Sequence, residues 1–344
     1  MKIQKLLLLF IPLLVGFIVA VSCTPSQNPN STISRASPQA ISPIRLGFCN
    51  WPAFLIWQVA KEENLFAENQ IDVDLKYYSY SESLKAIAEG KLDANNQNLS
   101  DTISLMAKFP NFDPVIILNV DTSYGGDAII VSKEINKIAD LKGKKVATLK
   151  GGIEHYLLLL GLKKAGIKPT DIELIDLDES GTVAAFVEKQ VDAAGVFIPY
   201  TFEALKRPGS KILFSSKDFP NAIPDIIVVN RELIEKRPED VQLLVKTWFD
   251  TLKHIRENPE KSYKIMADYI GVSIGEFQKY ISSFQIINIE ENLKVFQDSG
   301  PKSLPYLARQ ISQFLLDTGM IKKKPDLSKL FDSRFIKNYA ESIK

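Results

Sequence analysis

Residues 144–166 read KKVATLKGGIEHYLLLLGLKKAG. A short alternating strand over 146–149 feeds Gly151 and Gly152 and then a helix, apolar at Leu157, Leu158, Leu160 and Leu162, that ends near Gly166. A strand that delivers two glycines to a helix start leaves backbone N–H groups pointing into a loop. The helix dipole favours negative charge at the same place, so the turn suits a carboxylate, sulfonate or phosphate. An ordinary turn in an α/β sheet, where glycine only relieves crowding, has the same look. The elements on either side decide what this one belongs to.

Upstream, strands over 44–48, 71–75 and 115–120 alternate with helices over 52–66, 81–87 and 103–107, and a short strand leads to Ala94. That order predicts a parallel sheet with right-handed crossovers. The run 115–120 is continuously apolar, as in a strand covered on both faces. Between Ala94 and the next helix lies a polar stretch, Asn95 to Asp101, read as a loop after a strand. Downstream of the quoted segment, strands over 172–175 and 193–197 flank a helix over 183–189, and a short helix follows from Pro199. From Pro238 onward the pattern predicts helix only, over 241–255, 259–270, 274–284, 304–318 and 327–340. Amphipathic helices need a surface to cover, and packing them on the first sheet is the economical solution. The chain then runs from lobe one (44–127) to lobe two (128–225) and back to lobe one (226–344). Strong strands over 128–131 and 225–229 form the crossings, and the cleft between the lobes is the place for a ligand.

Charge and composition set limits. Lys plus Arg number 42 against 41 Asp plus Glu, so a net charge of +1 gives no field for nucleic acid. The two histidines and two cysteines assemble no convincing metal site or catalytic triad, and no GxSxG, GxGxxG or P-loop is present. The reading calls for no cofactor and no metal. Lys2 and Lys5 precede an apolar run over 6–21 and then Ala20-Val21-Ser22-Cys23, which is the pattern of a signal peptide over 1–22. The end of that run resembles the lipobox of bacterial lipoproteins, with Ala20 where leucine is more usual. The resemblance implies a lipid on Cys23; a plain signal peptide or an uncleaved anchor are the alternatives. Residues 23–43, rich in Ser, Pro, Asn and Thr, read as a lipidated flexible linker that holds the protein outside the cytoplasmic membrane. Cys49 reads as a small buried hydrophobe.

In order and spacing, several segments are similar to the solute-binding proteins of bacterial ABC importers that serve nitrate, sulfonates, taurine and thiamine-precursor pyrimidines. They are Asn50-Trp51-Pro52, Asn64-Leu65-Phe66, the run 125–131, the run 138–147, the stretch 151–158, the segment 192–200, and Trp248 with Glu257-Asn258-Pro259. Ile198 stands where that family usually has Glu before a Pro, and the family has small residues and glycines where this chain has Asn95 to Ser100. The resemblance implies a type II periplasmic-binding fold: two α/β lobes with parallel-rich sheets, closing on a small molecule and presenting it to a permease and ATPase.

Residues at the carboxyl ends of strands are candidate ligand contacts. Asn50 caps a helix or meets the ligand; Trp51 stacks on it or packs. Asn96, Asn98 and Ser100 grip a polar solute or simply make a solvated loop with a helix cap. Tyr124, Gly126 and Asp127 lie at the first crossing, where a carboxylate would recognise a cationic nitrogen or fix the hinge. Gly151, Gly152, Glu154 and His155 form the quoted turn, and Glu154 beside it argues against a purely anionic ligand. Phe197 and Tyr200 supply an aromatic wall, and Asp225 opens the return crossing. The expected activity is capture of a small polar solute, such as a sulfonate, taurine, nitrate or pyrimidine, by a lipid-anchored monomer rather than an enzyme. A ligand-sensing lipoprotein and a pyrimidine- or menaquinone-biosynthesis enzyme of the same fold are the alternatives.

Overall fold

Among the described residues eleven strands divide between two sheets, and the most continuously apolar of them sit inside. A computed structural model describes residues 42–297 and 300–344; the signal peptide, Cys23 and nearly all of the linker fall outside the described residues. The strands are β1 (Ile44–Phe48), β2 (Val73–Tyr77), β3 (Ala94–Asn98), β4 (Pro114–Ser123), β5 (Asp127–Val131), β6 (Lys145–Thr148), β7 (Glu173–Asp176), β8 (Ala193–Phe197), β9 (Lys211–Ser215), β10 (Pro224–Asn230) and β11 (Phe284–Ile286). The first sheet has the order β11-β4-β10-β3-β1-β2 and the second β7-β6-β8-β5-β9. Pairs joined by helical crossovers are parallel: β1 with β2 and β3, and β6 with β7 and β8. Strands arriving from the other sheet run antiparallel, β10 against β3 and β4, and β5 against β8 and β9. Both sheets are therefore mixed. Every residue of β4 and β5 is buried, in keeping with their apolar sequences.

The helical tail covers the first sheet. Its longest helix, Pro238–Glu257, packs on Ile56–Glu62, where Trp248 meets Trp57 with ring centroids 5.1 Å apart. Leu304–Asp317 packs on Leu99–Lys108, and Arg334–Ser342 on the long helix. Among the described residues no helix is long and apolar enough to cross a membrane.

Four local readings need correction. The tail is not purely helical. Residues 284–286 leave the Ile274–Ile281 helix to form β11 on the edge of β4, and Phe331 bridges Ile116 in what reads by period as helix. The last helix starts only at Arg334. The helix read over 52–66 breaks at Asn64, whose φ of 59° ends one turn before Leu65–Glu68 begins another. Asn50 caps no helix, since Ile56–Glu62 starts after Leu55. The helix read over 81–87 runs Tyr80–Ala88 and is capped by Ser79, in a reciprocal box with Glu82.

Candidate functional site

The polar stretch after Ala94 is a buried strand, not a solvated loop. All five residues of β3 are buried at the centre of the first sheet. Their side chains bond sideways for the most part, with only Asn95 Oδ1 and Asn96 Nδ2 left without a partner. Asn95 donates to Gln97 Oε1 (2.9 Å) and Ser83 Oγ, Gln97 donates to Thr102 Oγ1 (2.8 Å), and Asn96 Oδ1 accepts from Trp57 Nε1 (2.7 Å). Period-two apolarity is absent from NNQN, so the pattern gave no strand signal. At the end of the strand, Asn98 donates to the Pro224 carbonyl (2.9 Å) and to Asp225 Oδ1 (3.2 Å). Asn98 Oδ1 accepts from the Ser100 amide and hydroxyl, so Ser100 is held within its own turn.

Asn98 leads to a group of carboxyls where the strands cross. Asp121 of β4 stands directly opposite Asp225 of β10, next to a register shift between Asp225 and Ile226. Such irregularities re-aim side chains. In the orientation its neighbours require, the Asn119 amide donates to the backbone carbonyls of Asp121 (3.0 Å) and Asp225 (2.7 Å) across the shift. Asp127 opens β5 opposite Phe197 of β8, and Glu154 reaches it from the helix Ile153–Lys164. Asp101 accepts from the Tyr80 hydroxyl at 2.6 Å. Glu179 accepts from the Ser81 amide and hydroxyl, both at 3.0 Å, tying the helix Glu179–Val187 beside the second sheet to the helix after β2. All six carboxyls are buried, Asp121 completely.

Burial controls their protonation. Desolvation is the largest cause that raises Asp101 to about 7, Asp121 to about 8 and Asp127 to about 6, from an ordinary 3.8. Desolvation, then Asp127, holds Glu154 well above the carboxylate range; desolvation, then Asp121, does the same for Asp225. Two like charges in contact in a dry site cannot both ionise, so each neighbouring pair keeps a proton.

Aromatic rings close over these carboxyls. Trp51 donates from Nε1 to Asp121 Oδ2 (3.3 Å), and its ring lies 6.5 Å from Phe54, 6.2 Å from Phe197 and 5.9 Å from Phe284. Gly126 makes this possible, because a Cβ there would stand 2.3 Å from Trp51 Cη2. Tyr80 and Tyr200 meet Phe197 edge-on at 5.9 and 5.2 Å. Between them lies a cavity of about 20 Å³, room for about one water, lined by Cys49, Trp51, Phe54, Tyr80, Asn98, Asp127, Ile153, Phe197 and Asp225. Burial pushes the Cys49 thiol up, so it stays protonated and is no nucleophile. A larger hollow of about 560 Å³ lies near Glu291 and Lys294. No comparable set of buried titratable groups lines it, and we place the candidate site in the smaller cavity.

The remaining expected residues sit elsewhere. Asn50 is buried beside the Tyr200 hydroxyl, just outside the cavity lining. Asn96 is committed to Trp57. Tyr124 is 41% exposed, with Lys217 Nζ 5.2 Å from its ring centre. Gly151 and Gly152 face an outer hollow of about 290 Å³ that also exposes Lys85, Lys108 and Lys150. Their N–H groups are already used, Gly151 toward His155 Nδ1 (3.1 Å) and Gly152 toward the Leu149 carbonyl (3.1 Å). His155 is lowered to about 4 by desolvation and the neighbouring Lys150, and stays neutral. Cys49, Phe54, Tyr80, Asp101, Asp121 and Glu179 were not among the expected site residues. Asp121 had a legible signal: a carboxylate at the end of a buried apolar strand, just before the chain changes sheets.

The NMT1/THI5 like family matches residues 51–262, more than half of the chain, from the cleft tryptophan to the second tail helix. The chain belongs to the NMT1/THI5-like family. It is 27% identical over 290 residues to the taurine-binding periplasmic protein of Escherichia coli (strain K12), covering 81% of this chain and 88% of that protein. The fold is that of the periplasmic aliphatic sulphonate binding protein SsuA from Escherichia coli, at 24% identity and a TM-score of 0.68, over 84% of this chain and 91% of that one. SsuA from Xanthomonas axonopodis pv. citri, an alkanesulfonate-binding protein bound to MOPS, gives a TM-score of 0.71 at 17% identity, over 85% and 98%. The desulfurization enzyme DSZB also shares the fold, with a TM-score of 0.62 at 15% identity over 88% of this chain and 100% of that one. This family member therefore has a fold that serves both binding and catalysis, and its own site must decide between them.

Proposed function

We propose that the chain is the extracytoplasmic solute-binding component of an ABC importer, capturing a small polar solute between its lobes and delivering it to a permease. The observation that carries this is the aromatic-walled cavity lined from both sheets, by Trp51, Asn98 and Asp225 on one side and Asp127 and Phe197 on the other. The solute would enter as Trp51 and Phe197, one ring from each lobe and edge-on at 6.2 Å, are parted, and would favour the arrangement closed on it. Ser81 and Glu179 would latch the outer edge of that closure. Relatives that bind taurine and sulfonates support the class of protein and its place outside the cytoplasmic membrane, with Cys23 as the proposed anchor and the monomer as the working unit. Binding is favoured over catalysis because the only thiol in the cavity is held protonated and neutral His155 lines a separate hollow of about 380 Å³ beside Lys108 and Lys150.

A second reading places an anionic group in the outer hollow, favoured by Lys85, Lys108 and Lys150 around the two glycines. Those lysines are exposed and well solvated, which weakens their hold. A thermal-shift panel of taurine, alkanesulfonates, nitrate and aminopyrimidines tests the proposal. A binder at one hundred times its dissociation constant stabilises by about 2.7 kcal/mol, enough to move the melting temperature. A panel in which nothing moves it, repeated by calorimetry with the same result, removes the solute-binding role.

A further inference from the structure

We infer that the solute carries an organic cation, an ammonium or amidinium group whose N–H donors meet Asp127 and Asp225 once the rings of Trp51 and Phe197 part to admit it. This rests on the proposed solute-binding role and goes beyond it by fixing the charge of what is bound.

Three observations converge. The polar lining of the cavity is acidic: Asp127 and Asp225 face it with Asn98 and the Tyr80 hydroxyl, and none of its lining residues is Lys, Arg or His. Behind the lining, Asp121 stands against Asp225 and Glu154 against Asp127, carboxyl on carboxyl with no cationic side chain between them. Third, the walls are aromatic faces and edges, which attract a cation and suit a planar one. A metal ion is a poor occupant: among the described residues no group of three or more His, Cys, Asp or Glu has the geometry to hold one.

An anion would add a like charge to dry carboxyls with no cation in the wall to offset it. A cation does the reverse. It takes the place of the protons that Asp121 shares with Asp225 and Asp127 with Glu154, and those protons leave to the buffer. The other titratable groups facing the cluster are Asp101 and Lys108 on one helix, Tyr80, Cys49, Glu179 and Tyr200; Lys108 acts through Asp101.

Titration calorimetry of the full chain with benzamidine, benzamide and benzenesulfonate compares three charges on one ring. The ethylammonium and ethanesulfonate ions repeat the comparison at smaller size. The expected result is that the cation of at least one set binds about tenfold or more tightly than its neutral or anionic counterpart. Its affinity rises from pH 6 to pH 8, and buffers of different ionisation enthalpy report proton release. Asp225→Asn and Asp127→Asn each lose that binding while the free variants melt no lower than the parent at pH 8; Asp113→Asn, on the surface, binds as the parent does. Tighter binding of benzenesulfonate or ethanesulfonate, strengthened by Asp225→Asn or accompanied by proton uptake, overturns the cation while leaving the solute-binding role intact. Cation binding that survives both Asn variants also overturns it, by placing the cation elsewhere. No binding by any probe, together with an unresponsive thermal-shift panel, removes both readings.

Discussion

Gly126 shows how a single residue shapes the site. The Trp51 ring packs on its backbone, and the nearest indole carbon would be 2.3 Å from an added methyl. The Ser283 carbonyl, 3.0 Å away on the other side, blocks escape in that direction. Gly126→Ala should therefore lower unfolding free energy by about 1–3 kcal/mol, the usual range for an overpacked core, with a shifted urea midpoint as the readout. At this scale the sequence was only half legible. Trp51, Asn98, Asp127, Phe197 and Asp225 were foreseen because they follow or begin strands, and all of them line the cavity. Tyr80 and Asp121 were not, since one opens a helix and the other closes an apolar strand, and their convergence depends on pairing across sequence distance. The two glycines promised free N–H groups, but His155 and Leu149, both close in sequence, accept those hydrogen bonds.

Among the elements, β4 and β10 were readable from continuous apolarity, and β3 was not. A strand of NNQN is held by side-chain bonds to Gln97, Ser83, Thr102 and Trp57 that no hydrophobic pattern records. The same substitution of side chain for ladder occurs at the edge of the sheet. Beyond β11, Asn292 takes over as the partner of β4: its Oδ1 accepts from the Asn119 amide at 2.9 Å and its Nδ2 donates to the Asn119 carbonyl at 2.9 Å. Asn292 is fully buried and also donates to the Ile287 and Asn288 carbonyls. Asn292→Ala leaves a buried donor and acceptor unmade, so we expect a loss of about 2–4 kcal/mol in denaturant unfolding. Faster hydrogen exchange confined to Asn119 and its neighbours on β4 would locate the effect, whereas uniform loss of protection would argue against it.

Across the whole molecule, the cleft makes stability depend on pH. Asp101, Asp121 and Asp127 have folded values of about 7, 8 and 6 against an ordinary 3.8. A raised carboxyl contributes stability that is fully present below its unfolded value and is lost as pH rises through the folded one. His155 acts in the opposite sense: lowered from 6.5 to about 4, it contributes stability above 6.5 that is lost as pH falls toward 4. The window from 6.5 to 8.5 therefore belongs to the carboxyls, and the melting temperature of the free protein should fall across it. A flat or rising profile there would mean that the carboxyls are not held protonated. The two-lobed arrangement was legible because crossovers and amphipathic periods are local signals, whereas the antiparallel strands that make both sheets mixed were not. The charge of the cleft was not, because its six carboxyls come from six elements that meet only in the fold.

The chain has three tryptophans, and Trp57 and Trp248 are sealed in the core against each other, which leaves Trp51 as the reporter of the cleft. The most direct measurement of solute capture between the lobes is a fluorescence titration, with the first solute that stabilises the protein, of the parent chain and of Trp51→Phe. We predict a saturable change in the parent that is absent in Trp51→Phe, although calorimetry still detects binding by the variant. An equal change in both proteins would report through Trp57 or Trp248 and place the solute outside the cleft.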